Sequence, residues 1–200
     1  MFRRRLSVVL GLMALVVVVA AWLSTVALAE IKAQVVRGRV ASDIATAFVQ
    51  LSVHKQRLRT WVAQMQQGAQ ADPAERQAHE DAMQATLALL RRLSAQAVAL
   101  DGRAEAREEH LRRAETLTVL EQSMVALSAA VAQAGPLAPG ADARQAWAAQ
   151  SQVFDMAQGY DLRRLIAENI AREAAAVERE RAAADRVLQR VRSAWLLAAG

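Results

Sequence analysis

The chain has 200 residues, 54% of them apolar but only 4% aromatic, and no cysteine, which excludes a disulfide framework and thiol chemistry. Its net charge of +5 includes Arg3, Arg4 and Arg5, so the remainder is nearly balanced and lacks the basic patch that a nucleic-acid partner requires. Alanine supplies much of the apolar share, and eight glycines with three prolines leave few breakers, a composition that suits closely packed helices.

Residues 6–29 form an unbroken apolar run behind the three arginines. At about 1.5 Å per helical residue the run reaches about 36 Å, enough to cross a hydrocarbon core of about 30 Å. The preceding arginines hold that end in the cytoplasm and place everything after residue 29 outside the inner membrane. A cleaved signal peptide is the rival reading, since Ala27-Leu28-Ala29 before Glu30 has the small-x-small form that signal peptidase accepts. Against it, secretory apolar cores run only about 7 to 15 residues.

Past this segment Ile44, Leu51, Leu58 and Met65 recur every seven residues, with Ala41, Phe48, Lys55 and Val62 as the companion row. The helix they define stops at Gly68. Asp72-Pro73-Ala74-Glu75 then restarts the chain with an N-cap aspartate, an N1 proline and a glutamate at N3. A second helix carries Met83, Thr86, Leu90, Leu93, Ala97 and Leu100 and ends at Asp101-Gly102. The third shows Leu117, Leu120, Met124, Leu127, Val131 and Ala134, until Gly135-Pro136 and Pro139-Gly140 break it.

From Ala141 onward one helix would overshoot its partners, and Gly159-Tyr160-Asp161 offers a break. A short helix around Trp147 and Phe154 would cap the distal end, with Asp161 as N-cap of a descending helix carrying Ile166, Ile170, Glu173, Val177, Glu180, Ala184, Val187 and Val191 in its seam. Arg190, Arg192, Trp195, Leu196 and Leu197 then read as the start of a second span, at which the chain breaks off. The expected fold is therefore all-α: a transmembrane helix, then an up-down four-helix-bundle exterior domain with a short distal capping helix. The expected divisions are a cytoplasmic tail at 1–5, a transmembrane helix at 6–29, a periplasmic domain at 30–193 and the opening of a second transmembrane helix at 194–200.

Lys55 stands out, because an unpaired ammonium in a seam between Phe48 and Val62 is costly to bury. Two readings follow. In one, Lys55 with His54, Arg57, Arg59 and Trp61 faces a small anionic ligand. In the other, it sets helix register or pairs with an internal glutamate. Glu173 and Glu180, in the seam of the last helix, are either a deliberately loosened, signal-transmitting element or the ion-paired face of an exposed stalk. Trp61, Trp147 and Phe154 either line a distal pocket or are plain core.

No metal site, cofactor or catalytic group is expected. His79, Glu80 and Met83 share a helix face, but helix rise puts His79 about 10 Å above His54 and His110 near the membrane end. The glycines form no phosphate-binding loop.

This layout resembles the sensory half of bacterial transmembrane receptors, nearest to two-component sensor histidine kinases and next to methyl-accepting chemotaxis receptors. The resemblance is one of architecture over the whole chain, to which Val53-His54-Lys55-Gln56-Arg57-Leu58-Arg59-Thr60-Trp61 adds a likeness to the basic first helix of nitrate-type sensors. It implies a homodimer whose last helix shifts against the first when a ligand or a periplasmic partner protein binds. Output would come from kinase modules beyond Gly200, and residues 1–200 would not themselves be an enzyme. The alternative is a secreted or membrane-anchored helical envelope protein that binds a protein partner.

Overall fold

A computed structural model describes residues 2–102, 104–135, 137, 142–157 and 159–199. It is all-helical apart from one minimal hairpin. In chain order the elements are α1 (Phe2–Gln66), α2 (Pro73–Leu100), α3 (Ala104–Ala132), α4 (Ala143–Asp155), β1 (Met156–Ala157), β2 (Tyr160–Asp161) and α5 (Leu162–Ala199).

Helix ends follow from local chemistry. Gly68, at φ 77°, takes the left-handed position that closes α1. Its N–H donates to the Met65 carbonyl at 3.0 Å and that of Ala69 to the Gln64 carbonyl at 3.0 Å, which satisfies two terminal carbonyls. The Asp72 carboxylate caps α2 by accepting from the Ala74 N–H at 2.8 Å, with Pro73 at the first helical position. Asp142 caps α4 through the Arg144 and Gln145 N–H groups, and Asp161 caps α5 through those of Arg163 and Arg164. The break expected at Gly159 is present, at φ 81°, with Met156 opposite Asp161 and Ala157 opposite Tyr160 across the hairpin. The breaks expected at Pro136, Pro139 and Gly140 lie outside the described residues.

The chain divides into two units, 1–39 with 176–200 and 40–175. The second holds the core, into which Ile44, Phe48, Leu51, Leu58 and Val62 of α1 pack with Met83, Leu87 and Leu90 of α2, Leu117, Leu120, Met124, Leu127 and Val131 of α3, Phe154 of α4, and Leu162 and Ile166 of α5. Both α1 seams are therefore inward. Leu100 departs from its expected row and is 37% exposed, because it is the last residue of α2, beyond the reach of the packed turns.

In the other unit α1 carries a segment long and apolar enough to cross a membrane, with mean hydropathy 2.2 and none of it buried. Val17, Val18, Trp22 and Leu28 are each more than three-fifths exposed, as side chains facing lipid would be. Arg37 of α1 pairs with Glu180 of α5 at 3.1 Å. The backbone stays helical through Arg3, Arg4 and Arg5 at one end and through Trp195 at the other, their side chains lying outside the described set.

Candidate functional site

Lys55 is buried, as its seam position requires, and its Nζ donates to the Phe154 carbonyl oxygen at 3.0 Å. That carbonyl belongs to the last turn of α4, where intrahelical donors run out. The ammonium thus closes the end of a helix by which the negative end of the helix dipole also attracts it. Burial holds its pKa below the ordinary lysine range; Asp155 and Asp161 oppose that shift, while Arg163 and Arg59 add to it. The group that compensates the ammonium within the chain is a backbone carbonyl and not the glutamate that one sequence reading expected, a partner that no side-chain pattern signals.

Arg59, one turn further along α1, pairs with Asp155 at 3.3 Å and lies over the Trp147 ring at 5.4 Å. Lys55 and Arg59 together therefore seat α4. Trp61 is core, with its indole N–H donating to the Asp72 carbonyl at 3.0 Å and the Arg76 guanidinium 5.8 Å over its ring. Arg57 is exposed. The five residues expected to gather around one anion are instead distributed among α4, the α1–α2 turn, α2 and solvent. Phe154, 1% exposed, fills the core rather than lining a pocket.

His54 meets His79 of α2, with ring centroids 5.6 Å apart and planes tilted by 46°. This corrects the expected 10 Å separation. The link after Gly68 runs back along α1, and the Trp61 to Asp72 hydrogen bond marks where α2 begins alongside it. Seven residues back from Trp61 is His54, and seven on from Asp72 is His79, so two antiparallel helices bring them level. His54 Nδ1 is buried without a hydrogen-bond partner, and His79 Nε2 faces the Glu75 carboxylate at 3.8 Å. Burial, with His79 and Arg57, lowers the His54 pKa and favours its neutral ring.

The second polar locus joins α3 to α5. Glu173 is 3% exposed and its Oε1 accepts from Arg113 Nε at 2.8 Å and Nη2 at 2.5 Å, while Arg113 Nη1 lies 3.2 Å from His110 Nδ1. Glu173 Oε2 is buried with no partner. Burial raises the carboxyl above its ordinary range, against the lowering effect of Arg113. Glu173 is thus ion-paired but not on an exposed face. Arg113 was missed at the sequence level, though continuing the Leu117–Leu120–Met124 rhythm backward by four residues reaches it. Glu180 is half-buried and pairs with Arg37, both residues belonging to the unit formed by 1–39 with 176–200.

A cleft of about 600 Å³ lies beside the hairpin, lined by Thr116 and Val119 of α3, Tyr160 of β2, and Arg164, Leu165 and Glu168 of α5. Its volume is in the range of small-molecule sites. Among the described residues no three His, Cys, Asp or Glu side chains converge as a metal-holding group. No family model, curated protein or solved structure matches this chain.

Proposed function

We propose that this chain is the signal-sensing input region of a bacterial inner-membrane receptor, of the two-component sensor histidine kinase type. In this reading residues 6–29 span the membrane and residues 30–193 form a periplasmic up-down four-helix bundle with α4 as its distal cap. The receptor works as a homodimer. The observation that carries the proposal is the continuity of α1: one helix from Phe2 to Gln66 holds both the exposed apolar segment and the core residues Ile44 through Val62. Receptors of this type carry their signal along helices that run from the sensor into the membrane, and a continuous α1 is the element such a mechanism needs. α5 supports the reading from its other end, being part of the core at Leu162 and Ile166 and continuing helical to Ala199.

The absence of cysteine makes topology directly testable. Single cysteines at exposed Gln96 and Ala129 should react with a membrane-impermeant maleimide in intact spheroplasts. Labelling only after lysis overturns the proposal. A mature N-terminus at Glu30 would instead favour the envelope-protein reading.

A further inference from the structure

We propose that His54 and His79 together bind a divalent late transition-metal ion, zinc or copper, clamped between α1 and α2. Imidazole is the ligand these ions share, and two rings from different helices make a bridge that either helix alone cannot. The geometry fits. With metal–nitrogen bonds of about 2.0 to 2.1 Å, a ring centroid stands about 3.2 Å from its metal, so two rings at a tetrahedral angle have centroids about 5.2 Å apart. The observed 5.6 Å requires a closure of only a few tenths of an ångström.

Two further observations point to the same ligand. His54 Nδ1 is buried with no hydrogen-bond partner, a condition that native interiors seldom tolerate and that a bound ion relieves. On the other ring, His79 Nε2 lies 3.8 Å from Glu75 Oε1, too far for a hydrogen bond as it stands but closed by a small rotation of the exposed Glu75 side chain. A carboxylate on the far nitrogen is the usual orienting partner of a metal-bound imidazole, leaving Nδ1 of His79 to coordinate. Since no third such side chain converges among the described residues, water completes the shell and the ion stays exchangeable. That arrangement suits an ion that is sensed better than one that holds the fold together. The proposal stands apart from the receptor reading, because binding is measured on the chain itself.

The test uses the full chain without a polyhistidine tag, in detergent micelles, with zinc sulfate as the probe. At about 100 µM zinc the wild-type thermal midpoint should rise by about 3 °C, and His54→Gln or His79→Gln should abolish the rise while His110→Gln keeps it. Should a glutamine variant fail to fold, the copper(II) electron paramagnetic resonance spectrum of the wild type decides, since the clamp requires coupling to two imidazole nitrogens. An unmoved wild-type midpoint, a rise that survives His79→Gln, or a copper spectrum with fewer than two nitrogens overturns the proposal.

Discussion

Arg113 of α3 and Glu173 of α5 form an ion pair with both side chains almost fully enclosed, 7% and 3% exposed. It is held by two hydrogen bonds to a single carboxylate oxygen, with the other oxygen unpartnered. Such a pair is costly to break and not costly to replace. Arg113→Ala leaves a buried carboxylate alone and should lower stability by about 3–5 kcal/mol, whereas joint Arg113→Met and Glu173→Leu should be neutral or stabilising. Thermal unfolding followed by circular dichroism measures both; equal losses in the two variants would count against this account.

Acid should act on the same pair. Burial raises the Glu173 carboxyl above its ordinary 4.5, so the folded chain binds its proton more tightly than the unfolded chain does. Its contribution to stability is then fullest below 4.5 and is lost as pH rises through the raised folded value. The groups around it are Arg113 and Glu109 of α3 and Arg172 of α5, with His110 reaching it through Arg113. The wild-type thermal midpoint should therefore decline as pH rises above 4.5, and Glu173→Gln, which cannot ionise, should flatten that decline. An unchanged pH profile would assign that dependence to another group.

Removing the Lys55 ammonium should act locally. In Lys55→Met the packing volume is kept and the Phe154 carbonyl loses its donor, while relief from burying a charge offsets part of the loss. Global stability should change by about 1 kcal/mol or less, and amide exchange in the last turn of α4 should quicken about tenfold. If exchange there is unaltered, Lys55 does not hold that helix end.

The turn between α1 and α2 rests on Trp61 and Asp72, joined by the indole hydrogen bond. Trp61→Phe keeps an aromatic body but drops that bond, and Asp72→Ala removes the carboxylate cap from the α2 N-terminus. Each should cost about 1 kcal/mol, and the double variant should fall short of the sum, since both act on the same few residues. A chemical denaturation series on the four chains checks the coupling; strict additivity would argue against a shared role.

Much of this molecule is written in short-range chemistry. The rows Ile44–Leu51–Leu58 and Leu117–Leu120–Met124, the caps Asp72 and Asp161, and the breaks at Gly68 and Gly159 were legible because helix periodicity and capping act within four or five residues. The partners of the polar seam residues were not. Lys55 bonds a carbonyl 99 residues away and Glu173 an arginine 60 residues away, pairings that depend on how far each helix slides along its neighbour. That offset is set by the path of the connecting turn. The Trp61 to Asp72 bond places α2 so that His54 and His79 meet, where helix rise counted from Gly68 had kept them apart. Local forces make the helices and mark their inward faces; their alignment, and with it every long-range polar contact, comes from packing in three dimensions.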